Sequence, residues 1–101
     1  MKMMMIVTRE ALESEVVEII QKCDVLGYTI LPQAHGAGEK GVVAASLFSH
    51  GPNVVIFAVI DVDRADLVTK VFKVFIAERV AMRKEHVPSL RMFLLPCEQI
   101  I

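Results

Sequence analysis

Four short apolar runs and two longer amphipathic segments alternate along the chain. The runs are bounded by polar or turn residues, and two of them are rich in β-branched or aromatic residues, which predicts strands at residues 3–7, 28–32, 54–60 and 91–95. Between them, apolar side chains recur at helical spacing, which predicts helices over residues 9–24 and from residue 61 to residue 85. The predicted order is therefore strand, helix, strand, strand, helix, strand.

The ends and buried faces of the two helices also follow from the pattern. We expect Thr8 to cap the first helix, Gly27 to end it, and its buried stripe to contain Leu12, Val16, Ile19, Ile20 and Cys23. The second helix should be capped by Asp61 or Asp63. Its main buried stripe is predicted to be Leu67, Val71, Val74 and Phe75, widened by Val68, Phe72 and Ile76.

This element order predicts an α+β fold of the ferredoxin-like kind, as one domain over residues 1–101. Right-handed crossovers then place strands one and three at the centre of a four-stranded antiparallel sheet, with both helices on one face. Strand three is apolar at all of its positions, so neither face of the sheet is suited to water. We expect a second copy of the chain to cover the other face.

Charge and cysteine content narrow the class of protein. The formal net charge is −1, from 11 basic and 12 acidic residues without a run of one sign, which argues against nucleic-acid binding. The longest apolar stretch, residues 54–60, is too short for a membrane span, and the N-terminus does not resemble a signal peptide. Cys23 and Cys97 are far apart in sequence, which indicates a reduced, cytoplasmic chain.

Four segments of the chain carry a further signal. They are Gly-Tyr-Thr-Ile at 27–30, Gly-Ala-Gly-Glu-Lys-Gly at 36–41, the third strand from Pro52 to Asp61, and Arg-Met-Phe-Leu-Leu-Pro-Cys-Glu-Gln-Ile at 91–100. In this order, the four segments resemble the PII nitrogen-regulatory proteins. The resemblance implies a homotrimeric regulatory protein and not an enzyme. It also implies a small effector in clefts between subunits and a loop that contacts a membrane transporter or an enzyme.

For this chain the resemblance implies an adenine nucleotide effector (AMP, ADP, ATP or a cyclic nucleotide) and no required cofactor. The nucleotide-binding residues it indicates are Thr29, Gly36, Ala37, Gly38, Lys40, Ile60, Asp61 and Arg91. Backbone amides of the glycine-rich loop, Lys40 and Arg91 would contact phosphate, and Thr29 the adenine edge. The sequence leaves structural alternatives open: a flexible hairpin for the loop, an ordinary strand threonine for Thr29, and a solvated strand end for Arg91.

The chain departs from the family pattern at several ligand positions. Glu39 stands where the family has a glutamine, Val55 replaces a lysine, and residues 84–91 lack the glycines of the family's phosphate loop. The partner loop is short and contains no tyrosine for a uridylylation switch. These differences disfavour ordinary triphosphate binding. In outline, the chain is nearer to bicarbonate-transport and carboxysome-associated relatives that bind AMP-class ligands.

The sequence also allows two other functions. One is a metal-responsive trimer of the copper-tolerance type, using His35, His50 and His86 with Cys23 or Cys97, although no metal-ligand spacing is present. The other is an interaction module without a ligand, suggested by the altered phosphate loop. No arrangement of residues indicates a catalytic site.

Overall fold

The structure, a computed structural model, describes residues 1–37, 52–82 and 89–101. These contain β1 (Lys2–Arg9), a 3-10 turn (Glu10–Leu12), α1 (Glu13–Lys22), β2 (Thr29–Ala34), β3 (Asn53–Ile60), α2 (Val62–Met82) and β4 (Leu90–Pro96). The strands form one antiparallel sheet in the order β2-β3-β1-β4. The predicted ferredoxin-like α+β fold is confirmed, with the first and third strands at the centre.

The core lies between one face of the sheet and the two helices. Alternate residues of the central strands point into it and are almost fully buried against apolar residues of both helices: Met4, Ile6, Ile56 and Ala58 against Val16, Ile20, Val68 and Phe72. Burying one large aliphatic or aromatic side chain stabilises a fold by about 1.5–3 kcal/mol. This layer is therefore the main source of stability for the described elements.

The start of α1 differs from the prediction. Thr8 is not a helix cap but a buried residue of β1, and its hydroxyl donates a hydrogen bond of 2.9 Å to the carbonyl oxygen of Ser89. β1 continues through Arg9, and the 3-10 turn precedes α1 without a side-chain cap. The predicted cap was wrong because β1 is longer than its apolar run, so Thr8 is a residue of the strand and not of the helix start.

The end of α1 also differs from the prediction. The helix ends at Lys22 rather than at Gly27, and Asp24 reverses the chain with φ of 61°. The Asp24 amide donates to the Gln21 carbonyl and the Val25 amide to the Ile20 carbonyl, both at 3.0 Å. This pair of bonds is the Schellman motif, which satisfies the last carbonyls of a helix. An aspartate, which tolerates left-handed backbone, occupies the position usually taken by glycine.

The buried face of α2 is rotated from the predicted main stripe. Val68 and Phe72, predicted to widen that stripe, are buried together with Ala65, and Val71 and Phe75 pack against the core, whereas Leu67 and Val74 are 42% and 55% exposed. The helix carries apolar residues on two sides, so its pattern alone did not select a face. Asp61 caps it by accepting a bond of 2.6 Å from the Arg64 amide, as predicted. This rotation of α2 about its own axis is consistent with the hydrogen bond of 2.9 Å that the Arg64 guanidinium donates to the Cys23 carbonyl at the end of α1.

Candidate functional site

The sheet face turned away from the helices is apolar and has no helix or strand of the described chain over it. Strand register places on it Met3, Met5, Val7, Leu31, Val55, Phe57, Val59, Phe93 and Leu95. Leu31, Val59, Phe93 and Leu95 are 50%, 46%, 45% and 43% exposed. We call these nine residues the open sheet face. It matches the second apolar face predicted from the sequence.

Two predicted nucleotide-binding residues lie on this face, at its opposite edges. Thr29 is on edge strand β2, opposite Phe57, and Arg91 is on edge strand β4, opposite Val7. Both side chains are exposed. Three strand spacings separate the edges, about 14 Å. One chain therefore does not bring Thr29 and Arg91 together into a compact pocket.

Arg9 is a charged residue of this face that the sequence analysis missed. It follows Val7 by two positions in β1 and lies opposite Asn53, so it shares both the face and the end of the sheet with Arg91. The helical pattern predicted Arg9 as the first residue of a helix. The alternation of Met3, Met5, Val7 and Arg9 on one side of a strand was the signal that could have identified it.

The end of the sheet that carries the arginines is tied together by two hydrogen bonds. The Thr8 hydroxyl holds Ser89, directly before β4, and the Glu10 amide donates to the Pro52 carbonyl, directly before β3, at 2.9 Å. The first bond fixes the start of β4, and hence Arg91, against the end of β1, and the second fixes the start of β3 there.

Gly36 and Ala37 lie exposed beyond β2 at this same end. A Cβ built on Gly36 would meet no atom within 4 Å, so packing in this state does not demand a glycine there. Just before them, Gln33 has φ of 54° within an irregularity between Leu31 and Ala34. This is a β-bulge, which bends the strand as it leaves the sheet. Gly38 and Lys40 lie outside the described residues.

Ile60 and Asp61 lie at the other end of β3, far from Gly36. Ile60 is 7% exposed within the core, and Asp61 is the cap of α2. Both have structural roles here. The structure does not group them with Gly36, Ala37 or Arg91.

No group of three histidine, cysteine, aspartate or glutamate side chains able to hold a metal ion occurs within residues 1–37, 52–82 and 89–101. His35 is exposed after β2, and His50 and His86 lie outside those ranges. Cys23 and Cys97 are free thiols. Burial raises the pKa of the Cys23 thiol, with the Arg64 guanidinium opposing this and Asp24 adding to it. Cys23 is a core residue, as its place in the helical stripe suggested.

A family model for the nitrogen regulatory protein P-II matches residues 1–101. The chain belongs to the P-II family. Proteins of this family are regulatory rather than enzymatic, form homotrimers and bind nucleotide effectors. The resemblance found in four sequence segments is confirmed, and the open sheet face lies on the fold of a P-II protein.

Solved structures of P-II-like proteins share this fold. CPII, a nitrogen regulatory PII-like protein from Thiomonas intermedia K12, bound to ADP, AMP and bicarbonate, has a TM-score of 0.68 at 18% identity over 93% of this chain and 82% of that one. A putative PII-like signaling protein from Thermus thermophilus has a TM-score of 0.58 at 20% identity over the same shares, 93% and 82%. No curated protein sequence matches the chain. No helix among the described residues has the length and apolar character needed to cross a membrane.

Proposed function

We propose that residues 1–101 form one domain, the subunit of a homotrimeric P-II regulatory protein in the cytoplasm. It senses an adenine nucleotide at contacts between subunits. The segment from Gly36 to Asn53 changes its conformation with the nucleotide and presents a different surface to a partner, a membrane transporter or an enzyme. The family assignment supports the regulatory role, and the open sheet face supports self-assembly.

The separation of Thr29 from Arg91 is the observation that carries this proposal. They occupy opposite edges of one face, and the two edge strands are three strand spacings, about 14 Å, apart. When the open sheet faces of neighbouring copies meet, the β2 edge of one copy can approach the β4 edge of the next. The hydroxyl and the guanidinium then line one cleft, so a complete site requires two chains.

Charge on the open sheet face favours an anionic ligand. The four described strands contain no aspartate or glutamate. Arg9 and Arg91 lie on neighbouring strands at one end of that face, the same end at which β2 leads to Gly36 and Ala37. A guanidinium binds phosphate oxygens with two parallel hydrogen bonds, which suits it to a nucleotide phosphate.

Among adenine nucleotides, we propose that AMP and ADP bind more tightly than ATP. Glu39 brings a carboxylate to the loop beyond Gly36, and residues 84–91 lack glycines whose amides would hold a third phosphate. The relative CPII, whose structure contains ADP and AMP, supports this class of ligand.

Light scattering and calorimetry test the proposal together. The particle mass should be three times the 11.2 kDa of the chain. Titration with AMP, ADP, ATP, cyclic AMP and cyclic di-AMP should show binding, strongest for AMP or ADP. Arg91→Ala should weaken it about tenfold by removing a charge-assisted phosphate contact, and Lys40→Ala should weaken it for the same reason.

Lys73→Ala, a change of an exposed cation on α2, is the matched control and should bind as the parent does. A monodisperse monomer would contradict the assembly. A trimer that gives no heat with any of the five nucleotides would contradict the sensing role and favour an interaction module without a ligand.

A further inference from the structure

Helix α2 carries a second apolar surface that faces away from the sheet. Leu67, Val71 and Val74 follow one another at spacings of four and three residues, and Ala77 and Ala81 continue the line. Val71 lies at the edge of this line, because it is half-buried and also packs against the core. Leu67 and Val74 are 42% and 55% exposed. We call these five residues the α2 stripe. A surface helix normally presents polar residues to water, so this stripe needs an explanation.

The neighbouring helix shows what an ordinary exposed face looks like in this chain. On α1, Glu18 and Lys22 form an ion pair of 2.9 Å with side chains 64% and 73% exposed. The outer face of α1 is thus suited to water, and the unusual composition is confined to α2.

Two opposite charges border the α2 stripe symmetrically. Lys70 lies one turn before Val74 and Glu78 one turn after it, and both are exposed. Neither makes an ion pair with another residue of the described ranges. A two-fold axis through Val74 would exchange the positions of these two charges.

We propose that the α2 stripe pairs with the α2 stripe of a second copy of this chain, antiparallel, across a two-fold axis through Val74. Leu67 then faces Ala81 of the second copy, and Val71 faces Ala77. Lys70 faces Glu78 of the second copy, and symmetry forms this ion pair twice. A parallel arrangement would oppose Lys70 with Lys70 and Glu78 with Glu78, which electrostatic repulsion disfavours.

The contact is small and reversible. The alanines let the helices approach closely, but one helix face buries less than the roughly 800 Å² per partner of a standard stable interface. Association therefore depends on protein concentration. Because the α2 stripe lies on the side opposite the open sheet face, the contact joins two assemblies that the sheet face has already built. It does not depend on nucleotide binding.

Sedimentation equilibrium of the full chain from micromolar to millimolar concentration tests this contact. The weight-average mass of the parent should rise with concentration above its low-concentration value, because each trimer presents three α2 stripes to other trimers. Lys70→Glu should raise the dissociation constant about tenfold, because each contact then opposes carboxylates at two places. Glu78→Lys should act likewise, and the double variant Lys70→Glu with Glu78→Lys should restore association.

Lys73→Glu is the matched control. It reverses the same charge on the same helix but lies outside the stripe, so it should associate as the parent does. The proposal is overturned if the parent mass does not rise with concentration, if Lys73→Glu weakens association as much as Lys70→Glu, or if the double variant fails to recover association. Nucleotide affinity should be unchanged in all these variants, so failure here is distinct from failure of the sensing role.

Discussion

Among the described residues, Thr8 is the polar residue whose side chain is buried, with 1% of its surface exposed. Its hydroxyl connects the end of β1 to Ser89, two residues before Arg91. A buried hydroxyl is favourable only when it is hydrogen-bonded. The bond therefore both stabilises the sheet and holds the strand that presents Arg91, the arginine proposed to contact phosphate.

Replacing Thr8 by valine keeps the shape of the side chain and removes the donor. We expect Thr8→Val to lower the free energy of unfolding by about 1 kcal/mol, the usual worth of one buried hydrogen bond. Urea denaturation measures the change. Thr69→Val is the control, because the Thr69 hydroxyl bonds at 2.8 Å to the Ala65 carbonyl of its own helix and its loss should cost little. Equal urea midpoints for the parent and Thr8→Val would contradict a stabilising role for this hydrogen bond.

The residues at the arginine end of the sheet show the limit of sequence reasoning. Thr8 and Arg9 were predicted at a helix start because a threonine before an amphipathic segment is the usual signature of a cap. The structure continues β1 through both, since pairing with β3 and β4 extends the strand beyond its apolar run. That pairing is set by residues more than 40 positions away, which a local pattern does not contain.

At the scale of the elements, Asp24 is the point where α1 turns toward β2. Its left-handed backbone, with φ of 61°, costs a residue that has a Cβ more than it costs glycine. The Asp24 carboxylate also lies 3.4 Å from the Arg64 guanidinium, but this carboxylate is mostly exposed, so the pair contributes little.

We expect Asp24→Gly to be more stable than Asp24→Ala by about 1 kcal/mol, the cost of left-handed backbone for alanine. Both variants lose the same contact with Arg64, so their difference isolates the backbone. Thermal unfolding of the two variants measures it. If Asp24→Gly and Asp24→Ala unfold at the same temperature, the turn is not strained as described.

Element order was predictable, but the face of α2 was not. The apolar runs and the amphipathic segments predicted four strands and two helices in the right order, because strands and helices have distinct hydrophobic periods. Helix α2 has apolar residues on opposite sides, and either Leu67 with Val74 or Val68 with Phe72 could have faced the core. In the structure Val68 and Phe72 face the core, and this orientation of α2 goes with contacts at its N-terminal end, including the hydrogen bond from Arg64 to the Cys23 carbonyl. The exposed side of α2, which carries Leu67 and Val74, is the α2 stripe.

At the scale of the whole molecule, the apolar second face followed from the sequence, whereas the arrangement of the proposed ligand residues did not. Strand three, apolar at every position, was enough to predict a face that needs a cover. The placement of Thr29 and Arg91 at opposite edges depends on the strand order β2-β3-β1-β4. Under the proposed function, this placement means that a trimer is needed to complete the nucleotide site.

Mixing two weakened variants tests this central claim most directly. Thr29→Val and Arg91→Ala should each bind AMP or ADP about tenfold more weakly than the parent. In trimers assembled from an equal mixture, some contacts pair an intact Thr29 with an intact Arg91 of the next chain. Calorimetry should then show parent affinity at about one site in four, as random assembly of a cyclic trimer requires. A mixture in which no site regains the parent affinity would contradict a nucleotide site shared between subunits.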